Sequence, residues 1–106
     1  MPAEENQYSF NGSYVEYFKN IFNAEFSEYQ ITCEEAKNYR ATVFTFTKDG
    51  KKTLVVELLS KSSDAKKLRR VCAEQGIPYL RYYHDYHGWW NTRSYVTERT
   101  RKALKG

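Results

Sequence analysis

The order of apolar and polar residues along the chain predicts an alternation of helices and strands. Apolar side chains recur at helical spacing from Val15 to Phe22, whereas β-branched and aromatic residues fill 41–47, as is typical of a strand. Residues 53–59, TLVVELL, form the near-continuous apolar run expected of a strand buried on both faces. The whole pattern predicts the order αβββαβα, with helices at about 13–24, 63–75 and 92–104, and strands within 26–34 and at 41–47, 53–59 and 79–83.

Polar residues with known preferences for turns and helix ends separate these elements. Asn11 or Ser13 can cap the first helix, and Glu16 follows Ser13 at the spacing of a capping box. Asp49 and Gly50 form the dipeptide favoured in tight hairpins, whose central residues need positive φ. The second and third strands are therefore expected to form an antiparallel hairpin.

A chain of 106 residues has the length of a single domain. We expect a flexible N-terminus at 1–12 and one α/β domain at 13–104, with a small mixed four-stranded sheet flanked by helices. No apolar run approaches the roughly 18 residues of a membrane span, and the N-terminus lacks the features of a signal peptide, so no membrane partner is expected. Cys33 and Cys72 lie far apart and are expected to be reduced, which favours a cytoplasmic protein.

The net charge of +4 hides a difference between the two halves of the chain. Residues 1–60 carry six Lys or Arg and nine Asp or Glu, whereas residues 61–106 carry eleven and four. A positive half is typical of proteins that bind DNA or RNA, although an unevenly charged surface without a ligand gives the same pattern. The candidate phosphate contacts are basic residues on the second and last helices: Lys66, Lys67, Arg69, Arg70, Arg93 and Arg99.

An aromatic segment joins the last strand to the last helix. Aromatic side chains interleaved with Arg can stack on unpaired bases or form the centre of a protein interface. Trp89 and Trp90 could instead close the core beneath the last helix. The candidate interaction residues of this segment are Tyr82, His84, Tyr86, His87, Trp89 and Trp90.

Glu57 is a carboxylate within the most apolar strand. Burying it is costly unless a partner or a metal ion compensates its charge. A buried acid of this kind is a candidate functional group. Arg81 on a neighbouring strand is an obvious partner, and a pair with Arg81 would give Glu57 a structural role.

The order αβββαβ, with a hairpin that leads into a strand containing VVE, is similar to the core of the PD-(D/E)XK restriction-endonuclease-like superfamily. The segment 65–104 resembles the end of very-short-patch-repair-type endonucleases, in which a basic helix, a Gly, a strand ending in Leu-Arg-aromatic and an Asn-containing helix start follow one another. The resemblance covers about 40–104. The matching residues are Arg70, Gly76, Leu80, Arg81, Tyr82, Asn91, Val96 and Leu104.

The resemblance implies a site for phosphodiester cleavage with Mg²⁺ or Mn²⁺, in which carboxylates hold the metal and a Lys stabilises the developing charge. Glu57 matches the acid of the third strand in that family and would be the metal ligand. The expected Lys is replaced by Leu59, and the expected first acid is missing from 40–46. Lys61 and Glu16 are the candidate catalytic substitutes, and Lys66, Glu34 and Glu35 are alternatives to them.

These departures favour a nucleic-acid-binding domain with a degenerate, inactive nuclease-like core. Two alternatives stay open. One is an active endonuclease that uses Mg²⁺ or Mn²⁺ with Glu57 and a displaced Lys. The other is a protein-interaction module or small inhibitor that acts through the aromatic segment on a complex that processes nucleic acid. A homodimer is expected by analogy, because nuclease-like folds often pair.

Overall fold

The computed structural model describes residues 10–36, 41–60, 63, 66–84 and 91–105. It confirms the α/β class and the predicted order αβββαβα. The N-terminal residues 1–9, part of the segment predicted to be flexible, lie outside this description. The described elements are α1 (Tyr14–Glu25), β1 (Gln30–Ala36), β2 (Ala41–Lys48), β3 (Lys51–Leu59), α2 (Lys67–Gln75), β4 (Tyr79–Tyr83) and α3 (Arg93–Leu104).

The four strands form one mixed sheet in the order β1-β2-β3-β4. The first three strands are antiparallel to their neighbours, whereas β4 runs parallel to β3. A parallel pair needs a long crossover, which α2 supplies. Asp49 and Gly50 have φ values of 54° and 77°, which confirms the tight hairpin between β2 and β3. Within the part of the chain described, β4 therefore lies at one edge of the sheet.

Helices α1 and α3 cover one face of the sheet and enclose the aromatic core. The Phe22 ring of α1 meets Phe44 and Phe46 of β2 edge-on, with ring centroids 5.0 and 5.1 Å apart. Val96 of α3 is fully buried in the same cluster. Each such side chain contributes roughly 1.5–3 kcal/mol through the apolar surface that it removes from water. The Ser13 hydroxyl caps α1 by accepting the Glu16 N–H at 3.1 Å.

Helix α2 lies against the opposite face of the sheet. Leu68 and Cys72 of α2, with Val43 and Val55 of the sheet, line a cavity of about 350 Å³ between the two layers. Helix α2 begins at Lys67 rather than near 63 as predicted. Ser63 instead donates its N–H to the Ser60 carbonyl at 2.9 Å, so the chain is still turning at that point.

The length and polarity of the helices and the state of the two cysteines can be compared with the sequence predictions. None of the helices described is long and apolar enough to cross a membrane. Cys33 and Cys72 are both free thiols, as predicted. Burial raises the pKa of each thiol, so both stay protonated near neutral pH.

Candidate nucleic-acid interface

Glu57 lies in the middle of β3 on the face covered by α2, and only 6% of its surface is exposed. Its Oε1 accepts the Tyr79 hydroxyl and lies 3.5 Å from Arg81 Nη2. Arg81 Nε donates to the same Tyr79 hydroxyl at 2.9 Å. Arg81 is the register partner of Glu57 across the parallel pair, and Tyr79 lies on the same side of β4 because side chains alternate along a strand. The predicted pairing of Glu57 with Arg81 is confirmed.

The charge states of Tyr79 and Arg81, the two partners of Glu57, follow from their surroundings. Burial, together with the hydrogen bond to Glu57, raises the pKa of Tyr79 well above its ordinary value. Burial lowers the pKa of Arg81, but hydrogen bonds to Tyr79 and Tyr83 outweigh it, so the pKa of Arg81 is raised. Near neutral pH, a neutral hydroxyl and a charged guanidinium therefore satisfy the Glu57 carboxylate.

The described residues around Glu57 do not fit a divalent metal ion. Mg²⁺ takes about six oxygen ligands in near-octahedral geometry. Val43 lies directly opposite Glu57 on β2, and Leu59, two residues after Glu57, is fully buried. Among the residues that the structure describes, no three His, Cys, Asp or Glu side chains come together in a way that could hold a metal. The role of Glu57 as a metal ligand is therefore unsupported by its donor set, and we derive no step through Mg²⁺ or Mn²⁺.

The two candidate substitutes do not complete the site. Glu16 is exposed on α1, and α1 packs through Phe22 on the face of the sheet opposite to Glu57. None of the contacts described joins Glu16 to Glu57, so the catalytic role of Glu16 stays a prediction. Lys61 lies outside the described residues, so its role stays a prediction.

The four basic residues predicted to contact phosphates from the second helix all lie at its surface. Lys66, Lys67, Arg69 and Arg70 are exposed. They point away from the buried Cys72, as their spacing predicted. Lys66 precedes the first residue of α2 and serves as its N-cap position, without a side-chain capping bond.

The two candidate residues of the last helix have partners within the protein. Arg93 Nη2 lies 3.0 Å from Glu25 Oε1, so it ties α3 to α1. Arg99 Nη1 donates to the Arg81 carbonyl at 2.8 Å, and its guanidinium lies 4.9 Å from the centre of the Tyr82 ring. Arg99 is half-buried and ties α3 to β4. Each arginine therefore has a structural role, and its contact with phosphate stays a prediction.

Tyr82 is a core residue, which contradicts its predicted place on the interaction surface. It is 1% exposed, and its hydroxyl bonds to the Val96 carbonyl at 3.1 Å and to Thr100 Oγ1 at 2.9 Å. Strand alternation turns Tyr82 towards α3 while its neighbours Arg81 and Tyr83 face the other way. Burial raises the pKa of Tyr82 to about 12.

The rest of the aromatic segment is only partly described. His84 is half-buried, and its ring stacks on Tyr14 of α1 with centroids 4.1 Å apart. Asn91 is buried and donates its side-chain amide to the Tyr83 carbonyl at 3.0 Å, while Thr92 caps α3. The remaining candidates, Tyr86, His87, Trp89 and Trp90, lie outside the described residues, so their roles stay predictions.

Three guanidinium groups from three different elements line one cavity beside β4. The cavity has a volume of about 270 Å³ and is lined by Arg69 of α2, Arg81 of β4 and Arg99 of α3, together with Tyr79, Leu80 and Tyr83. We call it the arginine cavity. The role predicted for Arg81 from the sequence is that of a partner for Glu57, so this cavity is an additional finding. The alternating Tyr-Arg-Tyr of β4 was the available signal, since it places three polar side chains on one face.

A larger and more open cavity continues along α3. Its volume is about 620 Å³, and it is lined by Tyr95, Glu98, Arg99, Arg101, Lys102 and Lys105. We call it the α3 groove. Arg99 lines both cavities, so the two adjoin. Tyr95 is 39% exposed, and Arg99 lies 6.0 Å from the centre of its ring. The α3 groove thus combines positive charge with an accessible aromatic face.

Comparison of the chain with models of known protein families, with curated proteins and with solved structures finds no match. The class of protein is therefore defined here by its fold and by the charge of its site. The chain is an α/β protein with a mixed four-stranded sheet and two adjoining, positively charged cavities beside β4.

Proposed function

We propose that this chain binds nucleic acid through the arginine cavity and the α3 groove, and that it does not cleave its ligand. The observation that carries the proposal is that both cavities meet at Arg99. Their described lining contains six basic residues and the acid Glu98. Lys and Arg side chains that neutralise phosphates supply most of the non-specific affinity for nucleic acid. The basic residues are Arg69, Arg81, Arg99, Arg101, Lys102 and Lys105.

A single strand suits the α3 groove better than a duplex. Proteins that bind single strands combine a positive groove with aromatic side chains on which unpaired bases stack. Tyr95 supplies such a face within the groove, and Arg99 beside it adds a planar cation. We therefore propose that a base of a single strand stacks on Tyr95 while its phosphates lie near Lys102 and Lys105.

The core is proposed to be a degenerate form of the restriction-endonuclease-like fold. The order αβββαβ and the VVE strand support this proposal. A catalytic role for the third-strand acid has less support, because Glu57 is already bound by Arg81 and Tyr79 and lies beside the apolar Val43 of β2.

Fluorescence anisotropy with labelled single-stranded DNA, single-stranded RNA and duplex DNA of equal length tests the binding, over a range of salt concentrations. We expect the logarithm of the affinity to fall linearly with that of the salt concentration. Lys102→Gln should weaken binding and reduce the slope by about 0.7 for a single strand. Lys51→Gln, which removes an exposed Lys on the β2–β3 hairpin, is the matched control and should change neither.

Two further measurements complete the test. Tyr95→Ala should cost about 1–3 kcal/mol of binding to single strands and much less to duplexes, because duplex bases are already stacked. Incubation of the substrates with Mg²⁺ or Mn²⁺ should give no cleavage. Binding that is absent at low salt, or insensitive to salt, contradicts the binding proposal. Cleavage that Glu57→Gln abolishes contradicts the proposal that the core is inactive.

A further inference from the structure

We propose that the arginine cavity binds the terminal phosphate of a nucleic-acid strand, whose next nucleotides lie along the α3 groove. This inference rests on the proposed function, because the α3 groove must supply the remaining contacts. It adds a preference for strand ends that carry a phosphate monoester. An internal phosphate would have to enter the same cavity with a nucleotide attached on each side.

The charge around the cavity matches a phosphate monoester. Arg69, Arg81 and Arg99 bring three positive charges to its lining, and Glu57 behind Arg81 cancels one of them. The described groups therefore give the arginine cavity a net charge of about +2. A terminal phosphate carries about −1.5 to −2 near neutral pH, whereas an internal phosphodiester carries a single negative charge. The terminal group is thus the better electrostatic partner.

Two of the three guanidinium groups are held in place before any ligand binds. Arg81 is fixed by Tyr79 at 2.9 Å and Glu57 at 3.5 Å, and its side chain is only 15% exposed. Arg99 is fixed by its bond to the Arg81 carbonyl and by its contact with the Tyr82 ring. A guanidinium has five N–H donors, so each can hold these partners and still donate to a phosphate oxygen. Fixed donors reduce the entropy lost on binding.

The third guanidinium can adjust to the ligand. Arg69 is exposed on α2, across the cavity from the α3 side chain Arg99. Arginine pairs with phosphate through two parallel hydrogen bonds, which adds geometric specificity to the attraction of charge. Arg69 is therefore the residue whose removal should reduce phosphate recognition with the least effect on folding.

The size of the cavity also favours an end group. Its volume of about 270 Å³ lies just below the roughly 300–1,000 Å³ of pockets that enclose a drug-sized molecule. It has room for a phosphate and its bound water, since a water occupies about 30 Å³ in the liquid. The rest of the strand must leave the cavity, and the adjoining α3 groove provides the path through Arg99.

The test compares oligonucleotides of one sequence with three kinds of end: hydroxyl at both ends, phosphate at the 5′ end only, and phosphate at the 3′ end only. We expect one phosphorylated form to bind about tenfold more tightly than the form without phosphate, which corresponds to about 1.4 kcal/mol. The two phosphorylated forms show which end enters the cavity. Inorganic phosphate at millimolar concentration should reduce this preference by competing for the same donors.

The matched variants are neighbours on one helix. Arg69→Gln should bring the ratio of affinities for phosphorylated and unphosphorylated strands close to one. Arg70→Gln removes the same charge from a side chain outside the lining of the cavity, so it should weaken all three oligonucleotides equally and leave the ratio unchanged.

The possible failures are distinguishable. Equal, salt-dependent binding of all three oligonucleotides overturns the terminal-phosphate inference and leaves the proposed function standing. A preference that survives in Arg69→Gln also overturns the inference, because the phosphate would then bind elsewhere. Absence of binding to every oligonucleotide at low salt overturns the proposed function as well.

Discussion

Replacement of Arg81 by Leu should destabilise the protein far more than removal of an exposed arginine. The change leaves the Glu57 carboxylate, 6% exposed, with the Tyr79 hydroxyl but without its cation. Breaking a buried ion pair on one side costs about 3–5 kcal/mol, because an uncompensated charge remains in the interior. Since the Arg81 side chain keeps 15% of its surface exposed, we expect a loss of about 3 kcal/mol, the lower end of that range. Most domains have only about 5–15 kcal/mol of stability in total.

Urea unfolding followed by far-ultraviolet circular dichroism measures this loss as a change in the free energy of unfolding. Arg70→Leu is the matched control, since it removes the same charge from an exposed position of α2. Surface substitutions of that kind change stability by about 0.5 kcal/mol or less. The double variant Glu57→Gln with Arg81→Leu should recover most of the loss. Gln is uncharged and still offers an oxygen to the Tyr79 hydroxyl.

Two outcomes would refute this reasoning. The first is an Arg81→Leu variant that loses no more stability than Arg70→Leu. The second is a double variant that recovers nothing, because the loss would then come from packing and not from the charge left on Glu57. Either result would contradict the structural role that this geometry gives to Glu57.

Three further predictions concern single positions. Burial raises the pKa of Tyr82 to about 12 from about 10 in an unfolded chain. The contribution of the neutral hydroxyl to stability is therefore complete below pH 10 and is lost as the pH rises towards 12. Between these pH values, the free energy of unfolding of Tyr82→Phe, measured by urea unfolding, should fall less steeply than that of the wild type. Among the residues described, the buried Thr97 Oγ1 lacks a hydrogen-bond partner. Thr97→Val should therefore raise the free energy of unfolding by up to about 1 kcal/mol. A clear fall in that free energy would show that the hydroxyl is hydrogen-bonded. Gly50 has a φ of 77°, so Gly50→Ala should cost about 1–2 kcal/mol, and an unchanged urea midpoint would contradict a strained left-handed position.

Local pattern was enough to predict most of the elements. The β-branched residues of 41–47 and the apolar run of 53–59 appear as β2 and β3, with bounds shifted by one or two residues. Ser62, Ser63 and Asp64 match the usual start of a helix and so predict a start near 63, whereas α2 begins at Lys67. The described N–H of Ser63 is used in a turn instead. Such local competition between a turn and a helix start is not visible in apolar spacing.

The pairing of a buried charge could be predicted from the sequence, whereas a cavity formed by residues of several elements could not. The pair of Glu57 and Arg81 was predictable because a buried carboxylate needs a cation and neighbouring strands offer few. The aromatic composition of the segment favours a surface position for Tyr82, whereas strand alternation turns it into the core. The alternation of β4 predicts only which face Arg81 lies on; the arginine cavity as a whole is beyond local pattern, because Arg69, Arg81 and Arg99 meet only after the α2 crossover and the return of α3.

The pair of Glu57 and Arg81 connects the proposed lack of cleavage with the proposed binding. In a core of the proposed restriction-endonuclease-like type, the third-strand acid would hold a divalent cation, and the Arg81 guanidinium, 3.5 Å from Glu57 Oε1, would compete for the same negative charge. Here the carboxylate and Tyr79 hold a guanidinium that lines the arginine cavity. The cation that Glu57 stabilises is thus part of the protein, and it faces the proposed phosphate site directly. The interaction that makes a metal site unfavourable therefore also positions one of the donors on which the proposed phosphate binding depends.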